Sequence, residues 1–251
     1  MSSAQAGSDL TAEIDDLVIA NHILHAQGVV DSFGHVSIRS PQRPDRFFMA
    51  RATAPGRVTR DDIMEFMNDG EPVDRQGRSI YSERFIHSEI YKQRPDVNAV
   101  IHSHSPGVIP FGVTDMPLRA LLLTAAFLGS GVPVFDIREA AGMTDLLVRN
   151  AALGKALAES LGDASVALMR GHGDVVVGPN LRLAVARAIY TEVNARIQAQ
   201  AIIMAAGGRV TYLAPEECEL REGAVAQEKA GSGHGQDRAW EMWKSELSNK
   251  S

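Results

Sequence analysis

The sequence predicts an α/β fold in which helices and strands form a layered domain. Helical patterns and short β-rich runs alternate along the 251-residue chain, an order that is typical of mixed layers. Neither an internal repeat nor a dividing linker interrupts the sequence, so we expect residues 1–251 to form a single domain. The segment near 223–235 is rich in glycine, alanine and charge, and we expect it to be mobile.

The first half of the chain contains two predicted helices and three predicted strands. Apolar residues recur at helical spacing over 11–28, which indicates a helix that stops at a glycine. The runs 29–40 and 46–55 have strand character. A second helix is predicted over 83–95, where a proline ends it, and the β-forming run 97–106 follows.

The second half continues the alternation. A short strand is expected over 132–137, and the amphipathic run 143–163 predicts a helix with Thr144 as its N-cap. Two further β-rich runs flank a tight turn at His172, which has a glycine on either side. Asn180 is placed to cap the long helix that follows it.

Composition and charge exclude several classes of partner. The formal net charge is -6 and no Lys/Arg-rich tract occurs, so we expect neither nucleic acid nor a membrane as partner. No apolar run reaches the ~18 residues that span a bilayer. The single cysteine, Cys218, forms no internal disulfide, and the polar N-terminus does not resemble a signal peptide. A cytoplasmic protein is the expectation.

Three histidines and one glutamate form the candidate metal site. His102 and His104 are two positions apart in a β-forming run, so their side chains point to the same face. His172 is presented by its glycine-flanked turn, and Glu83 opens the helix that precedes the histidine strand. Three imidazoles and a carboxylate are a common set for Zn²⁺, Mn²⁺ or Fe²⁺. Taken alone, His172 would serve only a turn and Glu83 only a helix N-terminus.

The motifs "GHVSIR", "SERFIHSEIYKQRPDVNAVIHSHSP" and "RGHGDVVVG" resemble those of the class II aldolase/adducin family, over about residues 11–215. The resemblance implies a three-layer α/β/α domain with a central, mainly antiparallel sheet. It also implies one divalent metal ion per subunit (Zn²⁺, Mn²⁺, Co²⁺ or Fe²⁺), held by His102, His104 and His172. In that family the residue matching Glu83 completes the coordination or moves away to act as an acid/base.

Two departures from the family pattern bear on the substrate. Aldolases of the family usually have Gly-Asn where this chain has Gly34-His35, and Ser-Ser-Glu where it has Tyr81-Ser82-Glu83. An imidazole and a phenol shrink the pocket and remove small donors suited to a phosphate dianion. A planar aromatic acid that stacks on such rings is therefore favoured over a sugar phosphate. These motifs look most similar to the decarboxylase branch of the family.

The expected roles follow from this comparison. We expect Glu83 and His35 to carry the proton transfer, and His35 also to contact substrate. The further expected substrate contacts are Tyr81, Ser82, Arg84 and Tyr212. Tyr212 is expected to reach the pocket of a neighbouring subunit. His87 lies one helical turn after Glu83, where it either braces that carboxylate or packs in the core.

The leading functional hypothesis is metal-dependent decarboxylation of a hydroxylated aromatic or heteroaromatic (di)carboxylic acid. The alternatives are an aldolase, epimerase or dehydratase of a small sugar or sugar phosphate, and a non-catalytic interaction module of the adducin kind. The resemblance further implies a homotetramer with active sites between subunits and a small-molecule carboxylic acid as the partner.

Overall fold

A seven-stranded sheet forms the centre of the fold in a computed structural model, which describes residues 3–227 and 235–248, with side chains described from residue 10. The strands are β1 (His35–Arg39), β2 (Arg46–Ala50), β3 (Ile63–Met67), β4 (Ala99–Ser103), β5 (Val134–Phe135), β6 (Val166–Met169) and β7 (Gly173–Gly178). Their order across the sheet is β3-β2-β1-β4-β7-β6-β5. Among the strands of the described residues only β5 and β6 pair in parallel, so the expected mainly antiparallel sheet is confirmed.

Helices cover both faces of the sheet. In the described ranges they are α1 (Ser3–Ala26), α2 (Arg84–Gln93), α3 (Ile109–Gly112), α4 (Ile137–Ala141), α5 (Ala151–Leu161), α6 (Leu181–Ala205), α7 (Pro215–Gln227) and α8 (Gly235–Ser248). Helices α1, α6 and α8 share one apolar core with the sheet, and α2 and α5 share the other. The expected three-layer α/β/α architecture is confirmed. Within these same ranges, no helix has the length and apolar character that a membrane crossing requires.

Several boundaries differ from those that the sequence predicted. The strand expected over 29–40 begins only at His35. The helix expected over 143–163 begins at Ala151, and the prediction of Thr144 as its cap was wrong. Asn150 caps α5 instead, because its Oδ1 accepts a hydrogen bond of 3.0 Å from the backbone N–H of Leu153.

Two further predictions concern the C-terminal third. Asn180 caps α6 as predicted, its Oδ1 accepting a 2.8 Å hydrogen bond from the N–H of Leu183. Of the segment 223–235, residues 223–227 continue α7, while 228–234 lie outside the described residues.

Strands β1 and β4 carry polar side chains on the face of the sheet that is covered by α2. His35 is the register partner of His102, and Ser37 is the partner of Val100. These side chains face α2, because side chains alternate along a strand and Val100 belongs to the core beneath α2. Polar groups of β1 and β4 are therefore gathered under one helix, next to the end of β4.

Buried polar residues of α6 hold the loops that follow β4. Glu192 is 3% exposed and accepts hydrogen bonds from the Ser105 hydroxyl and, at 2.8 Å, from the Gly107 N–H. Asn194 is fully buried. Its Oδ1 accepts a hydrogen bond from the Leu121 N–H and its Nδ2 donates one to the Arg119 carbonyl, each at 2.8 Å. These contacts satisfy loop backbone groups that have no strand or helix partner.

We expect Asn194→Ala to destabilise the protein, because it leaves the Arg119 carbonyl and the Leu121 N–H, both part-buried, without their side-chain partner. The loss should be about 1–2 kcal/mol, since a fully buried unsatisfied group costs about 1–3 kcal/mol and these two are only part-buried. Urea unfolding followed by circular dichroism measures the change. Gln200→Ala, an exposed position of the same helix, is the control and should stay within about 0.5 kcal/mol of the parent. Equal stability of the two variants would refute the role given to Asn194.

Candidate metal centre

Glu83, His102, His104 and His172 converge on one point. One ligand atom from each side chain lies within 4.8 Å of the other three. Glu83 immediately precedes α2, His102 is in β4, and His172 is in the turn between β6 and β7. His104 lies just beyond β4, which ends at Ser103, so the expectation that both histidines lie within the strand is corrected. Their ring centroids are nevertheless 5.1 Å apart.

The Nε2 atom of His102 is available to coordinate a cation. Its ring is fully buried, and its Nδ1–H donates a 2.9 Å hydrogen bond to the Asp174 carbonyl. Burial and then the neighbouring His172 hold the pKa of His102 well below its usual value, so the ring is neutral. Its Nε2 therefore carries a lone pair, and that buried atom has no hydrogen-bond partner in the described part of the chain. A bound cation would supply the missing partner.

The remaining distances also fit a cation. The Nε2 atoms of His104 and His172 are 3.1 Å apart. Two ligands of a tetrahedral Zn²⁺ ion, each about 2.0–2.1 Å from it, lie about 3.3–3.4 Å apart. A carboxylate Oε2 of Glu83 is 3.6 Å from His172 Nε2 and 3.8 Å from His102 Nε2. The donor set and its spacing are those of a small divalent metal site.

The glycines around His172 are required by the close approach of two strands. A side-chain carbon added at Gly173 would lie 1.9 Å from the Ser103 carbonyl oxygen, which no rearrangement of a side chain relieves. Gly171 has a φ of 64°, in the left-handed region that favours glycine. The sequence signal around His172 thus has a physical basis, because only glycine lets the turn come close to the end of β4.

Glu83 is anchored through one carboxylate oxygen and turns the other toward the histidines. Its Oε1 accepts a 2.9 Å hydrogen bond from the Val148 N–H, and its Oε2 faces His102 and His172. Glu83 is 7% exposed, and burial is the main cause that raises the pKa of this carboxyl above its usual value. Glu83 therefore presents an oxygen that can either coordinate a cation or carry a proton.

His35 and Tyr81 line the same site. The His35 ring is 5.0 Å from the His102 ring and 4.6 Å from the Tyr81 ring, measured between centroids. The Tyr81 hydroxyl donates to the Thr53 carbonyl and accepts a 3.3 Å hydrogen bond from the Thr53 N–H. Tyr81 consequently offers the site its ring, while its hydroxyl is held by the loop.

Three other residues were predicted to contact the substrate, namely Ser82, Arg84 and Tyr212. Within this chain they are not members of the four-residue cluster. Ser82 is exposed. The Arg84 guanidinium donates to the carbonyl oxygens of Gly70, at 2.6 Å, and Tyr81, and to the Glu71 carboxylate at 2.9 Å. Within this chain the structure does not bring Arg84 to the histidine cluster.

Tyr212 is also separate from the cluster within this chain. The Arg119 guanidinium lies over its ring, 4.1 Å from the centroid, and Gln198 contacts its hydroxyl at 3.4 Å. Its contribution to a neighbouring subunit therefore stays a prediction.

Sequence reasoning missed two contributors to the site, Phe33 and the backbone of Asp174. Phe33 is 65% exposed with its ring 6.1 Å from that of His104, and only its place beside Gly34 hinted at this. The Asp174 carbonyl orients His102, a backbone role that residue type does not reveal. Of the two roles left open for His87, the structure favours core packing over bracing Glu83, because its side chain is fully buried and contacts His35.

The fold and this site define a member of the class II aldolases and their relatives. The family model for the class II aldolase and adducin N-terminal domain matches residues 15–199, and the chain belongs to this family. The protein named Decarboxylase tropJ, from Talaromyces stipitatus, is 39% identical over 90% of this chain and 90% of its own. A 3,4-dihydroxyphthalate decarboxylase from Arthrobacter keyseri is 28% identical over 78% of this chain and 81% of its own.

The architecture also matches a solved structure. The L-fuculose 1-phosphate aldolase from Glaciozyma antarctica superimposes with a TM-score of 0.77 and 21% identity, covering 100% of this chain and 95% of that one. This likeness confirms the expected fold. The resemblance to the family, including its decarboxylases, is confirmed by the family match and the names of the relatives.

We expect His102→Ala to lower Zn²⁺ affinity at least about 100-fold, because it removes a ligand from a preformed site. Isothermal titration of the metal-free protein measures the affinity, and circular dichroism checks that the variant is folded. His25→Ala, which removes an exposed imidazole on α1, is the matched control and should bind Zn²⁺ like the parent. Indistinguishable affinities for the two variants would rule out the assignment of His102 as a ligand.

Proposed function

We propose that the protein is a divalent-metal-dependent decarboxylase of a hydroxylated aromatic or heteroaromatic carboxylic acid. The observation that carries this proposal is the pairing of a four-residue metal cluster with the rings of His35 and Tyr81 at its edge. The relatives named decarboxylases, one at 39% identity, support the same reaction class. Zn²⁺, Mn²⁺, Co²⁺ and Fe²⁺ all suit three imidazoles and a carboxylate.

A divalent cation bound by the three histidines would act as a Lewis acid for negative charge that develops on a substrate oxygen. When CO₂ leaves, the electron pair of the broken C–C bond stays on the ring carbon, which must then receive a proton. Glu83 Oε2 faces the site, and burial raises the pKa of this carboxyl. Glu83 is therefore the proposed proton donor to that carbon.

Aromatic side chains at the edge of the site favour a planar acid. His35 and Tyr81 occupy the positions where the family's aldolases place small hydrogen-bond donors for phosphate, and the Tyr81 hydroxyl is already bonded to Thr53. Phe33 adds an exposed ring beside His104. Offset stacking on such rings stabilises a flat substrate, whereas a phosphate dianion has no planar group that can stack on them.

The aldolase and interaction-module alternatives are decided by one assay. The Zn²⁺-loaded protein is incubated with 3,4-dihydroxyphthalate, a hydroxypyridine dicarboxylate and L-fuculose 1-phosphate, and CO₂ and carbonyl products are measured. We expect CO₂ from an aromatic acid, no cleavage of the sugar phosphate, and loss of activity in His104→Ala but not in His25→Ala. Carbonyl product from the sugar phosphate alone would make the protein an aldolase. A protein that binds no metal and turns over none of these compounds would fit a non-catalytic module.

We also propose a homotetramer in which Tyr212 serves a neighbouring subunit's site. The separation of Tyr212 from the histidine cluster within its own chain supports this arrangement, as does the exposure of Ile203 and Met204 near the end of α6. Light scattering measures the assembly. Mixing His104→Ala with Tyr212→Phe subunits should restore part of the activity, because some sites then combine an intact cluster with an intact tyrosine. Activity that stays at the level of the separate variants would place both residues in one chain's site.

A further inference from the structure

Four buried side chains form an unbroken line of hydrogen bonds that starts at the metal centre. His35 Nδ1 is 2.6 Å from His87 Nε2, and His87 Nδ1 is 2.7 Å from the Ser37 Oγ. The same Oγ is 2.8 Å from the Tyr91 hydroxyl. His87 and Ser37 are fully buried and Tyr91 is 2% exposed. The line passes between β1 and α2, and the reaction proposed above assigns no role to its last three members.

The direction of these hydrogen bonds follows from counting hydrogens. The Tyr91 hydroxyl must donate its proton, and Ser37 Oγ is the acceptor that the described residues offer it. Ser37 then directs its own proton at His87 Nδ1, the other group bonded to its oxygen. Burial lowers the pKa of His87 to about 3, so its ring is neutral and carries one proton, at Nε2. That proton is donated to His35 Nδ1.

The opposite direction leaves a buried proton without an acceptor. If His35 Nδ1 carried the proton, His87 would donate to Ser37 Oγ, and only one of the Ser37 and Tyr91 hydroxyls could then donate to the other. The remaining hydroxyl would need a further acceptor, and the described part of the structure provides none. An unsatisfied buried hydroxyl disfavours this arrangement by about tenfold or more.

We propose that His87, Ser37 and Tyr91 are positioning residues that keep His35 protonated at Nε2, as a hydrogen-bond donor to an anionic oxygen of the substrate. The identity of that oxygen, a carboxylate of the aromatic acid, rests on the function proposed above. His35 Nε2 has no hydrogen-bond partner among the described residues, and its ring lies beside those of His102 and Tyr81. His35 therefore holds the substrate by donating to it, and the role of base or acid is left to Glu83.

Nitrogen-15 NMR of histidine-labelled protein tests the tautomer directly. Long-range correlation spectra are recorded on the Zn²⁺-loaded and metal-free protein without substrate, and the His35 signals are assigned by their loss in His35→Asn. We expect a protonated Nε2 and a bare Nδ1 in the parent. A parent protein whose His35 carries its proton at Nδ1 would overturn the proposal.

A matched pair of variants tests the positioning role. In His87→Gln the amide nitrogen can still donate to His35 and the amide oxygen can still accept from Ser37, whereas His87→Leu removes both groups. We expect His87→Gln to keep the parent His35 tautomer and kcat within about threefold. His87→Leu should show exchange-averaged His35 signals and a kcat lower by about tenfold, the rate equivalent of one hydrogen bond to a charged group, at unchanged Zn²⁺ affinity. If His87→Leu does not fold, Ser37→Ala, which removes the donor to His87, replaces it.

Unchanged His35 signals and unchanged kcat in the variant that lacks the donor would refute the positioning role. Because the spectra need no substrate, they separate this proposal from the proposed function. If His35 shows a single Nε2–H tautomer in a protein that decarboxylates none of the aromatic acids, the positioning proposal stands and the proposed reaction is refuted.

Discussion

The antiparallel pairing of β4 with β7 is the constraint on which the metal centre depends. In this register His102 is opposite Val175 and Ser103 is opposite Asp174. The pairing brings the turn that carries His172 against the end of the strand that carries His102, and it provides the Asp174 carbonyl that orients the His102 ring. A slip of one residue would turn His102 to the opposite face of the sheet, away from Glu83. Gly173 is needed because the Ser103 carbonyl occupies the space of any side chain there.

Two buried polar networks support the site from opposite faces of the sheet. Under α2, His35, Ser37 and His87 form the line that ends at Tyr91. Toward α6, the Ser103 hydroxyl donates to the Asp174 carboxylate, and Glu192 holds the loop after β4. Buried polar groups are costly unless every partner is present, so each network restricts the strands to one arrangement. The convergence of Glu83, His102, His104 and His172 from three separate stretches of chain follows from this double support.

How much the sequence predicted depends on the range of the interaction. Residue type, spacing and the family resemblance predicted the four residues that the structure gathers at one point, because a glycine-flanked histidine and an alternating histidine pair have local causes. The same holds for Asn180, whose capping role depends only on the next three residues. Partners that come from distant segments were not accessible in this way. The contact of His87 with His35 requires the register of β1 with α2, and the Arg84 contacts require the turn at Gly70, which no local pattern indicated.

A cation held by the four clustered residues would not by itself select the reaction, because loss of CO₂ and retro-aldol cleavage both place an electron pair next to an oxygen that a cation can stabilise. Selection must come from the groups that contact the rest of the substrate. At position 35 an amide side chain would offer a donor and an acceptor together, whereas an imidazole offers one or the other according to its tautomer. The hydrogen bonds that run from Tyr91 through Ser37 and His87 to His35 fix the tautomer of His35, so that its Nε2–H is a donor. A fixed donor discriminates in favour of a substrate oxygen that accepts a hydrogen bond, such as a carboxylate oxygen, since a substrate group that can only donate would meet an unpaired N–H.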